Sequence, residues 1–261
     1  MKRVGVLILA ALLFVSWAMA GGKQEQKSPG GKKWRIALSN DYAGNSWRQQ
    51  MLKDWKSVVE KAKAQGLIAE GPAFTTNESS AAEQAAQIQN LILEGYDAIV
   101  LNAASPTALN AAVKKAIDAG IPVISFDNAI TEPSAYRLLT DFEFYGLSEI
   151  EYLATRLPQG GNLLEIRGLA GTYVNDAIHA GIMKGIKKYP QFKIVGEVYG
   201  NWTQSVAQKE VAGILPSLPK IDAVVTQGGD GYGAVKAFEA AGRPIPIVFM
   251  GNRYDELALW K

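Results

Sequence analysis

The chain has no cysteine and one histidine, His179, among its 261 residues. Without cysteine there is no disulfide framework, no thiolate nucleophile and no cysteine-ligated zinc or iron–sulfur cluster. There is also no cysteine to carry a lipid behind an export signal. A single imidazole rules out a metal site built on two or three histidines of one chain, and a Ser-His-Asp triad would have to use His179. No G-x-S-x-G elbow is present. A charge excess is missing too: 27 Lys+Arg stand against 25 Asp+Glu, which gives no reason to expect nucleic acid or an acidic partner. What is present, 48% hydrophobic and 20% charged residues, describes a globular chain with enough length for one large domain or two modest ones.

The first twenty residues read differently from the rest. Lys2 and Arg3 precede an apolar run from Val4 to Ala20 that ends Ala18-Met19-Ala20. Positive start, apolar run and small-x-small end define a secretory signal peptide over 1–20, cleaved after Ala20. A membrane anchor is the competing reading, but the run falls short of the roughly 20 apolar residues that a span needs. The two basic residues of this segment account for the whole charge excess, so the remainder is neutral. Residues 21–33, rich in Gly, Lys and Gln, form a flexible tether. Export without cysteine points to a bacterial periplasm or an extracytoplasmic face rather than to a disulfide-stapled secreted domain.

From Trp34 onward, short apolar runs alternate with helical patterns. Strands are expected at 34–38, 68–74, 98–101, 122–126, 163–166, 192–198, 223–226 and 246–250. Helices are expected at 47–62, 81–92, 106–119, 174–188, 205–215 and 232–241, with another beginning at Tyr254. Near-continuous Val/Ile runs between helices imply parallel strands buried on both faces. The fold class is α/β, with two Rossmann-like doubly wound lobes, 34–140 and 141–261, joined by a hinge near Thr140-Asp141. One continuous Rossmann-like domain is the alternative.

In such sheets ligands bind beyond the carboxyl ends of the strands. The loops there hold Asn45, Trp47, Arg48, Asp127, Asn128, Asp176, Trp202, Gln227, Asp230 and Asn252. Amides, carboxylates and guanidinium groups engage neighbouring hydroxyls in pairs, and aromatic rings cover the C–H faces of a sugar. Any one of these residues could equally be a turn or cap residue; the signal is the same chemistry in several loops at one end. Gln227-Gly228-Gly229-Asp230-Gly231 opens a helix but lacks the Lys-Ser/Thr of a P-loop and the third glycine of a dinucleotide fingerprint. It suits close backbone approach to a neutral ligand better than a phosphate cradle. His179, inside a helical pattern, reads as a satisfied or solvated side chain.

Over 34–261 the chain resembles the periplasmic sugar-binding proteins of ABC transporters, of the ribose and galactofuranose type. The segments that carry the likeness are Asn45-Ser46-Trp47-Arg48, the run Ile121 to Asn128, Glu165 to Thr172, Gly200 to Gln204, Gln227 to Asp230 and Gly251-Asn252-Arg253. The resemblance implies a binding protein and not an enzyme. A sugar would stack between Trp47 and Trp202 and close the hinge, and the closed form would dock a membrane permease. It implies a monomer with no metal or organic cofactor and no nucleic acid partner. Three positions depart from the family pattern: Ile178 and Asn128 stand where an arginine is usual, and Asn252 stands where an aspartate is usual. Members also continue for several tens of residues past this point, so the resemblance implies a C-terminally truncated protein with the last elements of both lobes missing. A periplasmic sensor feeding a chemoreceptor, a binder of another small polar molecule, and a carboxylate enzyme using Asp41, Asp127 or Asp230 are the rival readings.

Overall fold

The computed structural model describes residues 31–258. The expected signal peptide 1–20, residues 21–30 of the expected tether and the terminal 259–261 lie outside the described residues. Strand β1 (Trp34–Asn40) leads into helix α1 (Ser46–Ala64). That helix starts where it does because the Asn45 side chain accepts the Arg48 N–H at 2.9 Å, meeting one of the donors a helix start leaves unpaired. The expected strand at 68–74 is instead two short strands, β2 (Ile68–Glu70) and β3 (Ala73–Thr75). Pro72 between them has no N–H for a ladder, and its carbonyl accepts from Leu38 N. Helix α2 (Ala81–Leu93), β4 (Ala98–Asn102), helix α3 (Asn110–Asp118), β5 (Val123–Phe126) and β6 (Tyr136–Leu138) complete this half. Helix α3 begins at Asn110 and not at Pro106, because residues 106–109 form turns, one of them fixed by Ser105 Oγ accepting from Ala108 N.

Helix α4 (Phe142–Arg156) follows, then β7 (Gly161–Arg167), α5 (Tyr173–Lys188), β8 (Phe192–Tyr199), α6 (Gln204–Ile214) with a 3₁₀ turn at Leu215–Ser217, β9 (Ala223–Thr226), α7 (Gly231–Ala240), β10 (Ile247–Val248) and α8 (Tyr254–Leu257). Strand β6 and helix α4 add to the pattern read from the sequence, and β10 is shorter than the expected 246–250.

Two parallel sheets result. The first runs β2-β1-β4-β5-β6 with β3 also on β1; the second runs β10-β9-β7-β8. In each, the chain starts in the interior, steps to one side, then returns past its start to the other. The order therefore reverses between β1 and β4 and again between β7 and β9, the two places where such a sheet leaves a crevice at its carboxyl end. Parallel strands need a covering layer. Helices α2 and α3 bury Ile88, Leu91 and Val113 on Ala37, Ile99 and Leu101 of the first sheet. The second sheet is covered on both faces, by Val211, Ala237 and Phe238 of α6 and α7 on one and by Ile150, Leu153, Ile178 and Ile182 of α4 and α5 on the other.

Helices α4 and α5 approach too closely for side chains at their crossing. A Cβ at Gly146 would collide with the Ile178 carbonyl, one at Gly181 with the Glu143 carbonyl, and one at Gly185 with the Ile150 side chain. Gly181→Ala should therefore destabilise the protein by about 1–3 kcal/mol in urea unfolding, the usual cost of overpacking. Gly213→Ala in α6, where nothing lies within 4 Å of the added carbon, should be neutral or stabilising by up to about 1 kcal/mol.

Candidate functional site

A cavity of about 540 Å³ lies at the carboxyl ends of both sheets. The first sheet contributes Asn45, Trp47 and Arg48 from the loop and helix after β1, and Asp127 after β5. The second contributes Trp202 after β8, Gln227 and Gly228 after β9, and Asn252 and Arg253 after β10. Thr140 from the connection, and Phe142 and Tyr145 from the first turn of α4, form another part of the wall.

Arg48 is the largest buried polar group on the first side, 2% exposed. Its Nη1 lies 2.7 Å from Asp41 Oδ1 and donates to Asn40 Oδ1 at 2.9 Å. Its Nη2 stands 3.4 Å from Asp127 Oδ2 and has no hydrogen-bond partner within the protein. Asp127 is left-handed, with φ +58°, a backbone state that costs a non-glycine residue energy. The side chain also accepts from Asn102 Nδ2 at 3.3 Å. Burial pushes the Asp41 carboxyl up to about 6, against the opposing pull of Arg48 and a hydrogen bond from Ser79. The guanidinium carbon lies 5.3 Å from the centre of the Trp47 ring, within cation–π range, and Trp47 itself is 39% exposed at the cavity.

The second side is tied together by its own polar groups. Gln227 Oε1 accepts from Gly168 N at 3.0 Å, and Nε2 donates to the Asn175 carbonyl at 2.9 Å. This amide joins the β7–α5 and β9–α7 loops. Gly228 and Gly229 both have φ +85°, open to glycine and costly for other residues. Glu256 accepts the N–H groups of Gly229 and Gly251, each at 2.9 Å. From the other direction Arg253 donates to the Trp202 carbonyl at 2.7 Å and to the Gly228 carbonyl at 3.3 Å. The glycine-rich turn thus has an N–H already committed to a carboxylate, which disfavours an anion there. Asn201 and Trp202 are both left-handed, φ +53°. Their turn lays the indole against Gly168, where any Cβ would collide with it.

Seven of the ten residues named from the sequence therefore line the cavity, and three do not. Asn128 is fully buried; its Oδ1 accepts from Val174 N at 3.1 Å, capping α5 from the loop after β5. Asp176 points away, 61% exposed, with Oδ1 taken by Arg167 and Asn175. Asp230 is buried at the N-cap of α7, where burial pushes its carboxyl well above the usual range despite Arg253. In each case a loop position that looked available is consumed by capping, an ion pair or burial. Trp202 lines the cavity with little surface, being 6% exposed. Phe142 and Tyr145 carried no loop signal because they sit on a helix. Burial and the nearby Glu149, Glu256 and Asp230 carboxylates push the Tyr145 phenol up, so it remains a neutral donor. Ile178, at the position where arginine was expected from the resemblance, gives the wall an apolar patch.

No helix among the described residues is long and apolar enough to cross a membrane. The family model for the periplasmic binding protein domain matches residues 36–261. A D-ribose/D-allose-binding protein of Pseudomonas aeruginosa is 30% identical over 87% of this chain and 72% of its own length. A xylitol-binding protein of Mycolicibacterium smegmatis is 32% identical over 67% of the chain, and the match spans about half, 51%, of that protein. Among solved structures, an ABC transporter solute-binding protein from Thermobispora bispora superposes with a TM-score of 0.82 at 38% identity, covering 87% of this chain and 71% of its own. With two parallel sheets that share a cavity at their carboxyl ends and a family match across nearly all the described residues, the chain belongs to the periplasmic binding protein family.

Proposed function

We propose that this chain is an exported solute-binding protein that captures a small sugar or sugar alcohol in the 540 Å³ cavity and delivers it to an ABC transporter permease. One observation carries the reading: exposed aromatic surface and polar side chains meet at the carboxyl ends of two sheets. Trp47, Phe142 and Tyr145 offer flat apolar faces, while Arg48 and Asp127 line the same cavity as an ion pair and Asn252 is exposed. A sugar presents both C–H faces and paired hydroxyls, so it uses both kinds of surface. The names of the ribose/allose and xylitol relatives support this ligand class.

The cavity draws on residues before and after the β6–α4 connection, Leu139 to Asp141. We place the hinge there, between lobes 34–140 and 141–261. Ligand would hold the lobes together, and Asn128, whose amide oxygen caps the α5 N–H of Val174 from the first side, would fix the closed arrangement. The permease would read that arrangement.

The test is a thermal-shift and calorimetric screen of the purified full chain against ribose, allose and xylitol. At least one should raise the unfolding temperature, and Trp47→Ala should weaken its binding about tenfold, the scale of a lost aromatic face. If none binds, or if Trp47→Ala binds as tightly as the parent, the assigned cavity is wrong. Asn128→Ala should weaken the same ligand by shifting the lobes open, seen as a larger radius of gyration in solution scattering of the ligand-saturated variant.

The raised Asp41 carboxyl sets a pH dependence. The folded state holds this proton more tightly than the unfolded chain, so ionisation works against folding. Relative to Asp41→Asn, the parent should lose stability as pH rises from about 4 to about 6 and show a level difference on either side. Urea midpoints of both proteins across that range read the effect.

A further inference from the structure

The face of the second sheet beneath α5 holds an arrangement that sugar binding does not use. Glu165 of β7 and Glu197 of β8 are register partners on adjacent strands. Like charges directly opposed in a sheet repel, and Glu165 is fully buried. The chain's lone histidine sits over them from α5. His179 Nδ1 is 2.8 Å from Glu165 Oε1 and 3.0 Å from Oε2. One ligand atom from each of Glu165, His179 and Glu197 lies within 4.8 Å of the others.

The cation already nearby does not fill this space. Arg167 stays 3.9 Å from Glu165 and 3.7 Å from Glu197, beyond hydrogen-bond length. Its hydrogen bonds go elsewhere, to Asn175 Oδ1 at 3.3 Å and Asp176 Oδ1 at 3.4 Å, and its guanidinium carbon is 5.4 Å from the centre of the Tyr199 ring. Three carboxyl groups, Glu165, Asp176 and Glu197, thus stand around one guanidinium, and a divalent cation among Glu165, His179 and Glu197 would add positive charge there.

We propose that Glu165, His179 and Glu197 form a binding site for a divalent transition cation of the zinc type. The donor set argues for the class. One imidazole nitrogen with two carboxylate oxygens suits zinc, cobalt or nickel at about 2.0–2.2 Å, whereas magnesium and calcium take all-oxygen shells. Bond lengths of that size need the donors to draw in slightly from their present spacing. Glu197, on edge strand β8 and 38% exposed, has the freedom to do so, and it leaves an open side where water completes the shell. The site lies on the α5 face of β7 and β8, and none of its three residues lines the cavity.

Titration calorimetry of the EDTA-treated full chain with zinc chloride tests this, with magnesium chloride as the comparison. The expected result is one zinc per chain and no comparable uptake of magnesium. His179→Ala and Glu197→Gln should each weaken zinc at least about tenfold, the scale of losing even an outer partner of a metal site, and Glu197→Gln should keep the parent's unfolding temperature in EDTA. Glu197→Gln keeps the shape of a half-exposed residue, so its result stands even if the histidine variant folds poorly. Cobalt should add visible absorption bands characteristic of a tetrahedral nitrogen–oxygen shell. Absence of zinc binding, uptake unchanged in both variants, or loss in His179→Ala without loss in Glu197→Gln would each overturn the three-ligand site.

Discussion

Strand direction is the constraint from which the rest of this molecule follows. Every pairing in both sheets is parallel, so each strand ends at the same edge as its neighbours and the returns cross a face, as helices except between β5 and β6, where residues 127–135 make an irregular connection. That arrangement buries the sheets and collects the strand-to-helix loops at one end. The order reverses at β1/β4 and at β7/β9, which leaves a crevice in each half. Asn45, Trp47 and Arg48 follow the first reversal, Gln227 and Gly228 the second, and the cavity takes its walls from both.

Most polar groups in those loops are spent on building the site. Asn45 caps α1, Asn128 caps α5, Gln227 joins two loops, and Glu256 and Arg253 grip the glycine turn from opposite directions. Buried polar atoms without partners are costly, so the loops satisfy one another first. A small remainder is left to the cavity: the Arg48–Asp127 pair in its wall, the exposed Asn252 and the aromatic surfaces of Trp47, Phe142 and Tyr145. Preorganisation of this kind lowers the ordering cost of binding a small ligand.

The strands and most helices were legible in the sequence because their apolar spacing is clean. Helix α4 was not. Its inward positions include Gly146, Glu149, Ile150 and Leu153, so the apolar stripe is interrupted by a glycine and a carboxyl. The glycine is there because α5 presses against it. Burial pushes the Glu149 carboxyl well above its usual range. Strand β6 was hidden for the opposite reason, since Tyr136, Arg137 and Leu138 are all exposed at the sheet edge and show no alternation. Among the site residues, Trp47 and Arg48 were recognisable from their place after β1, whereas Phe142 and Tyr145 depended on a helix the pattern did not reveal.

The sequence by itself determined the α/β alternation, the parallel class and the loops that carry polar and aromatic residues, because period, length and turn chemistry are local properties. It also removed thiol and multi-histidine chemistry outright. The tertiary structure decided which of those loop residues face the cavity and which are consumed. Asn128, Asp176 and Asp230 look no different in sequence from Asn252, yet they end away from the cavity as a cap, an ion-pair partner and a buried acid. It likewise decided that Glu165, His179 and Glu197, from two strands and a helix, meet at one point. Strand register and helix docking set those meetings, and both depend on contacts between residues far apart in the chain.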